Sequence, residues 1–159
     1  MNKLSNFLCR VFGIVLTITP CLSVLAADTQ LPLNKLKLPT GFSINIFADN
    51  IKDARSMALG SKGTIFVGTR STGKVYALVD QDNNGKADQT YVIATNLSSP
   101  NGVAFHDNSL YVAEINRILV YELIEENLSN PPTPKILDVK LPRDRHHGWR
   151  YIDFGPDDK

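Results

Sequence analysis

The sequence predicts an all-β fold of the β-propeller class, on the basis of strand spacing and an internal repeat. Short β-rich runs recur with Gly, Asn and Asp turn residues between them, and no long stretch shows helical periodicity. Residues 57–70 are repeated in pattern at residues 102–114, so that Ile65-Phe66-Val67 falls on Leu110-Tyr111-Val112, 45 residues later. A repeat of about 40–50 residues with four strands per unit is typical of a propeller blade; the alternative is a plain meander with chance similarity.

Seven strands are expected after residue 40, each from a run rich in β-branched and aromatic residues and bounded by turn residues. They are residues 42–47, 64–68, 73–78, 89–94, 102–105, 109–113 and 117–121. The stretch 122–130 is expected to hold a helical turn, which the prolines at 131, 132 and 134 end. A third unit begins at residues 151–157, where Phe154 corresponds to Phe105 of the second unit.

The chain is short for the fold that it predicts. The 132 residues after position 27 correspond to about two to three blades, whereas a closed propeller has about 4–8. The sequence also stops at Gly155-Pro156-Asp157-Asp158-Lys159, where the repeat would form a hairpin turn. We therefore expect residues 28–159 to be the truncated N-terminal part of a larger propeller domain.

The first 27 residues have the composition of a secretory signal peptide. Lys3 and Arg10 form a positive region, an apolar run follows it, and Ala26-Ala27 offers small residues for cleavage. The apolar run is shorter than the ~20 residues of a membrane span, and Pro20 follows it. We expect a periplasmic or secreted protein with no membrane span after cleavage; the alternative is an uncleaved anchor.

The charge and the cysteine content limit the classes of protein. The chain has 17 Lys and Arg residues and 16 Asp and Glu residues, which argues against nucleic acid or an anionic membrane surface as a partner. Both cysteines, Cys9 and Cys21, lie in the signal segment, so the exported chain would contain no disulfide bond. Its stability must then come from its core, a metal ion or a partner.

The segment from Asp80 to Asp88 is similar to the first part of a calcium-binding loop. Asp80, Asp82, Asn84 and Asp88 place side-chain oxygens at positions 1, 3, 5 and 9, and a glycine at position 6 permits a sharp bend. Tyr91 stands at position 12, where such loops have a bidentate Glu, and no flanking helices are expected. These four residues are candidate calcium ligands, with an Asx-rich hairpin turn as the alternative.

Other candidate site residues lie at the starts of predicted inner strands, near the central channel where propellers usually bind ligands. His146 and His147 precede Gly148, and a histidine with an unperturbed pKa of about 6.5 suits general-base chemistry. Adjacent side chains on an extended segment point in opposite directions, so the two histidines are not expected to ligate one metal ion. Asn101 holds the corresponding place in the preceding unit. The alternatives are a structural histidine, a solvated basic loop and an ordinary Asn-Gly turn.

Five motifs occur in a recognisable order along the chain. They are Leu38-Pro39-x-Gly41-Phe42, Phe66-Val67-Gly68-Thr69-Arg70-x-x-Gly73-x-Val75-Tyr76, Pro100-Asn101-Gly102-Val103-Ala104-Phe105, Leu110-Tyr111-Val112-Ala113-Glu114 and His147-Gly148-Trp149-Arg150. Together they resemble the sorbosone dehydrogenase branch of the glucose/sorbosone dehydrogenase family, over nearly all of residues 28–159 but only about the first third of a family member. The resemblance implies an exported, six-bladed propeller that uses pyrroloquinoline quinone.

The resemblance also implies the reaction, which is the oxidation of a sugar, a sugar aldehyde or a polyol with hydride transfer to the quinone. An external quinone or cytochrome would then accept the electrons. His147 corresponds to the general base of the family, which takes the proton of the substrate hydroxyl. His146 stands where the glucose-oxidising branch has an aspartate, and Asn101 falls where that branch has a channel-facing amide, so both are candidate substrate contacts. Most cofactor contacts of the family lie in later blades, so the fragment is expected to be inactive alone.

Two other classes of protein remain alternatives, a calcium-dependent propeller lactonase of the gluconolactonase type and a non-catalytic propeller binding module. A lactonase would have acidic metal ligands at the channel-facing strand starts, which this sequence lacks. Serine hydrolase, Rossmann and P-loop functions have no support, because the sequence contains no Gly-x-Ser-x-Gly, Gly-x-Gly-x-x-Gly or phosphate-loop motif.

Overall fold

The computed structural model describes residues 31–159, so the predicted signal peptide at residues 1–27 lies outside the described residues. Residues 31–37 belong to a first unit and contain a short 3-10 helix at Leu33–Lys35. The second unit, Leu38–Lys159, contains all strands of the described part of the chain. No helix among residues 31–159 has the length and the apolar character required to cross a membrane.

The second unit contains two four-stranded antiparallel sheets, each a meander in which consecutive strands pair. Blade 1 consists of β1 (Ala54–Leu59), β2 (Ile65–Thr69), β3 (Val75–Val79) and β4 (Gln89–Ala94). Blade 2 consists of β5 (Gly102–His106), β6 (Ser109–Ala113), β7 (Ile118–Tyr121) and β8 (Lys135–Ile136). The all-β fold is confirmed, and the two sheets are two blades of a partial propeller.

The two blades pack against each other around one apolar core. Phe66 of β2 and Leu110 of β6 are fully buried, and the Phe66 ring stacks on Phe105 with the ring centroids 5.6 Å apart. Full burial of side chains of this size stabilises the fold by about 1.5–3 kcal/mol each, before the cost in conformational entropy. The packing brings β1 alongside β5, so the first strands of the two blades are neighbours.

Residues 42–47 form no strand, contrary to the prediction from their alternating pattern. Phe47 O accepts a hydrogen bond from Ala87 N at 2.7 Å, and Asn45 Nδ2 donates to Gly85 O at 2.6 Å. Two isolated bonds do not make a strand ladder. Phe42 is 71 % exposed, so the alternation does not mark a buried face here.

The other predicted elements agree with the structure more closely. Six of the seven predicted strands are present, with bounds within two residues, and the expected helical turn is a 3-10 helix at Ile124–Glu126. Residues 151–154 form no strand, but Phe154 packs on blade 2 as the third repeat requires. Its ring lies 4.4 Å from the His106 ring and 4.9 Å from the Tyr111 ring, measured between centroids.

Candidate functional site

His146 and His147 lie in a tight turn and not on extended backbone. Gly148 N donates to Arg145 O at 3.2 Å, and His147 has a left-handed backbone with a φ of +55°. The two exposed rings contact each other edge to face, with centroids 4.3 Å apart. The expectation that these side chains point in opposite directions is therefore wrong, because strict alternation holds only for extended backbone.

The histidine turn is anchored at both ends. A Cβ atom at Gly148 would lie 2.0 Å from Asp144 O, so the close approach of the backbone requires glycine at this position. On the other side, Arg150 Nε donates to Ile115 O at 3.1 Å and Arg150 Nη2 donates to Pro142 O at 3.1 Å. Ile115 belongs to the loop between β6 and β7, so these bonds hold the turn against blade 2.

Trp149 connects the histidine turn with blade 1. Its ring centroid lies 5.5 Å from that of His147, and Arg70 Cζ lies 4.1 Å from the centroid of the Trp149 ring, which is a cation–π contact. Arg70 directly follows β2, so the contact joins the β2–β3 turn to the turn that carries the histidines. An open cleft of about 390 Å³ lies beside this contact, and its lining includes Arg70, Ser98, Ser99, Arg145 and Trp149.

Glu114 is a buried carboxylate that supports the same cleft. Its side chain is 2 % exposed and accepts hydrogen bonds from Ser98 N and Arg117 Nε. A buried carboxylate is tolerated only when charged or polar donors surround it, as they do here. The sequence pattern did not predict this role for Glu114, although a carboxylate directly after the apolar strand Ser109–Ala113 is a signal of such a position.

Asn101 is fully buried just before β5, and both the oxygen and the nitrogen of its side-chain amide form hydrogen bonds within the chain. Its Oδ1 accepts a hydrogen bond from Arg55 Nε at 3.2 Å, and its Nδ2 donates to Arg150 O at 3.0 Å. Its backbone oxygen accepts a hydrogen bond from Ser56 Oγ. The sequence did not reveal this structural role, and the contact of Asn101 with substrate stays a prediction.

Arg55 and Tyr151 form a polar pair that the sequence analysis did not identify. Arg55 Nη2 donates to Tyr151 OH at 3.3 Å. Hydrogen bonds with the side chains of Asn101 and Arg55, together with the Arg55 charge, lower the pKa of the Tyr151 phenol below its ordinary value. Tyr151 lies beside a second open cleft, of about 430 Å³, between β1 and β5. Nothing in the local sequence pairs the two residues, which are 96 positions apart.

The loop between β3 and β4 brings together three of the four predicted calcium ligands. Asp80, Asp82 and Asp88 each have a carboxylate oxygen within 4.8 Å of the other two. Asn84 N donates to Asp80 Oδ1 at 3.1 Å, and Asn84 Oδ1 accepts from Lys86 N at 2.9 Å, as in an ordinary Asx turn. Converging carboxylates are the ligands that Ca²⁺ prefers, so the loop suits either interpretation, and calcium binding stays a prediction.

Comparison with protein families gives a match over nearly all of the chain that follows the predicted signal peptide. The family described as "Domain of unknown function (DUF7133)" matches residues 28–158. An uncharacterized protein of Borreliella burgdorferi is 29 % identical over 126 residues, which cover 79 % of this chain and 31 % of that relative. This chain therefore spans about a third of the length of that curated relative.

Two solved structures are similar to this chain. A structure of Trichoderma reesei Carbohydrate-Active Enzymes Family AA12 has a TM-score of 0.59 and 18 % identity, over 71 % of this chain and 29 % of that chain. The holo form of the pyranose dehydrogenase PQQ domain from Coprinopsis cinerea has a TM-score of 0.55 and 14 % identity, over 66 % of this chain and 25 % of that chain. At these identities the similarity concerns the fold, and it agrees with a partial propeller.

Proposed function

We propose that this chain, which belongs to the DUF7133 family, is the N-terminal part of an exported propeller oxidoreductase that oxidises a sugar, a sugar aldehyde or a polyol. The observation that carries the proposal is the exposed histidine turn beside Trp149, on a fold similar to that of a pyranose dehydrogenase PQQ domain. The ordered motifs that resemble the sorbosone dehydrogenase branch support the same class of reaction.

His147 is the proposed general base. Its imidazole is exposed, and the bonds at Gly148 and Arg150 fix the turn that carries it. A neutral imidazole accepts the proton of a substrate hydroxyl. The loss of this proton raises the electron density on the hydroxyl oxygen and favours departure of hydride from the carbon atom that carries this oxygen. His146, whose ring touches that of His147, is the proposed substrate contact beside it.

Pyrroloquinoline quinone is the proposed cofactor, which when bound accepts the hydride from the substrate carbon. The described residues fit this chemistry through the exposed imidazole of His147, whereas the His147 and Trp149 rings are tilted by 52° to each other and form no flat surface for a planar quinone. The described residues of the histidine turn act on the substrate side, by orienting the hydroxyl and holding its proton. The resemblance implies that the other cofactor contacts belong to later blades.

Calcium, an electron acceptor and an exported location complete the proposal. Asp80, Asp82, Asn84 and Asp88 are the proposed calcium ligands, on the basis of the carboxylates that converge in the β3–β4 loop. An external quinone or cytochrome would accept the electrons, in the periplasm or outside the cell.

The complete gene product, purified after export and loaded with pyrroloquinoline quinone and Ca²⁺, tests the proposal. We expect it to reduce an artificial electron-acceptor dye when an aldose, a sugar aldehyde or a polyol is added, and to reduce none when the quinone is omitted. A protein that binds the quinone but reduces no dye with any of these substrates would contradict sugar oxidation. Hydrolysis of a sugar lactone by the same preparation would instead favour the lactonase class.

A further inference from the structure

We propose that the cleft beside Trp149 binds a carboxylate group, of a sugar acid or of the quinone cofactor, through the guanidinium groups of Arg70 and Arg145. This inference goes beyond the proposed function, because it concerns the binding of an anion and not the oxidation of the substrate. It rests on the composition of the cleft, on the geometry of Arg70 and on the absence of partners for the two arginines.

The composition of the cleft favours an anionic ligand. Its volume of about 390 Å³ is within the range of about 300–1,000 Å³ that is usual for small-molecule sites. Arg70 and Arg145 bring two positive charges to the lining, which also includes Ser98 and Ser99. None of the described residues that line the cleft is acidic, so a neutral or cationic ligand would leave both charges without a partner.

The cation–π contact with Trp149 holds the guanidinium group of Arg70 beside the cleft. Its Cζ lies 4.1 Å from the ring centroid, and the N–H groups at the edge of the guanidinium form no ion pair among the described residues. This edge is the part of an arginine that binds a carboxylate in a bidentate manner. Orientation before binding reduces the entropy that is lost when the ligand is bound.

Arg70 and Arg145 have no ion-pair partner within 4.0 Å in the part of the chain that the structure describes. Arg117 pairs with Glu114, and Arg150 donates to backbone oxygens, so other arginines nearby are engaged within the protein. Hydrogen bonds from the Ser71 and Thr72 backbone N–H groups, and to a smaller extent the charge of Arg70, lower the pKa of the Asp53 carboxyl group, but Asp53 and Arg70 form no ion pair within 4.0 Å. The cleft therefore presents two cations that are free to bind an external carboxylate.

Trp149 is the only tryptophan among these 159 residues, so the fluorescence of this chain reports on the cleft directly. We expect glucuronate to change the Trp149 emission of the purified, quinone-free protein in a saturable manner, and glucose at the same concentrations to leave it unchanged. Arg70→Gln and Arg145→Gln should each weaken glucuronate binding about tenfold, as expected for the loss of one charge-assisted contact. Arg143→Gln removes the same charge from an exposed arginine outside the cleft lining and should leave the affinity unchanged.

Calorimetry with pyrroloquinoline quinone distinguishes the two sources of the carboxylate. If only the quinone binds, and if Arg70→Gln and Arg145→Gln weaken it while Arg143→Gln does not, the ligand is the carboxylate of the cofactor. Equal responses to glucose and glucuronate, equal losses in all three variants, or no binding of either carboxylate would overturn the proposal. Because every readout is binding, these outcomes do not decide whether the loaded protein oxidises sugars.

Discussion

Asn101 Nδ2 donates a hydrogen bond to Arg150 O at 3.0 Å, which joins the start of β5 to the segment after the histidine turn. One repeat earlier, Ser56 Oγ donates to Asn101 O. Ser56 and Asn101 occupy equivalent places in the repeat, since they precede Met57 and Gly102. The same type of bond, from a side chain to the backbone oxygen of the next unit, therefore links successive repeats near their inner strands.

Asn101→Ala should lower the free energy of unfolding by about 1–3 kcal/mol, because it removes a fully buried amide together with its hydrogen bonds to Arg150 O and Arg55 Nε. Urea denaturation followed by circular dichroism measures the change. Asn130→Ala is the matched control, since Asn130 is exposed, and it should change the stability by less than about 0.5 kcal/mol. Equal stabilities of the two variants would show that the bonds of Asn101 do not hold the repeats together.

Gly148→Ala should displace the histidine turn, because a Cβ atom would lie 2.0 Å from Asp144 O, which is a backbone atom with little room to move. We expect a loss of about 1–3 kcal/mol in stability and a changed Trp149 emission spectrum. Gly63→Ala is the control. Gly63 has a φ of +86° with nothing within 4 Å, so this variant carries only backbone strain and should leave the emission unchanged. Unchanged emission in Gly148→Ala would show that the close approach does not position the turn.

His147→Asn should reduce kcat by about 10²–10⁴-fold in the quinone-loaded protein, because it removes the proposed general base. Asparagine tolerates the left-handed backbone at this position, so the turn should persist. His146→Asn serves as the comparison and should raise KM more than it lowers kcat, since His146 is a proposed substrate contact. A wild-type kcat in His147→Asn would contradict the assignment of the base.

The strands with clear sequence signals could be predicted well. The predicted bounds of β4 (Gln89–Ala94) and β6 (Ser109–Ala113) agree with the structure, because each run combines β-branched or aromatic residues with turn residues on both sides. β8 (Lys135–Ile136) could not be predicted, since it is short and exposed and follows a proline-rich segment. The alternating run 42–47 predicts a strand that the structure does not contain, because an alternating pattern does not reveal whether a partner strand is present.

The site could be predicted only as a set of residues and not as a geometry. Sequence reasoning selected His146 and His147 but assumed extended backbone, so it missed the contact between their rings. The hydrogen bonds of Asn101 with Arg55 and Arg150 join residues 46 and 49 positions apart. Such contacts depend on how the blades pack, for which a single sequence gives no local signal.

Calcium should stabilise the protein through the β3–β4 loop, because its three converging carboxylates repel each other until a cation binds. Addition of Ca²⁺ should raise the Tm and give a saturable heat of binding in calorimetry. Asp82→Asn should abolish most of this heat, whereas Asp138→Asn, at an exposed position outside the loop, should not. No heat of binding to the unaltered loop would show that it is an ordinary Asx-rich turn.

Asp53 should make stability depend on pH, because a hydrogen bond from Ser71 N is the largest of the contacts that hold its pKa below the ordinary value of 3.8. A carboxyl group whose pKa is lower in the folded state contributes stability above about pH 4, and this contribution is lost as the pH falls through its folded-state pKa. Asp53→Asn keeps an oxygen acceptor and suits the left-handed backbone at φ +65°, so it removes mainly the charge.

We expect Asp53→Asn to be less stable than the wild type at pH 7, by less than about 1 kcal/mol because solvent screens a partly exposed group. The difference should shrink toward zero as the pH falls below 3.8. Asp107→Asn is the control, since Asp107 is exposed and also has a left-handed backbone, with a φ of +44°. Chemical denaturation of the three proteins between pH 7 and pH 2.5 measures the effect. A difference in stability that does not change with pH would mean that the carboxylate charge of Asp53 does not stabilise the β2–β3 turn.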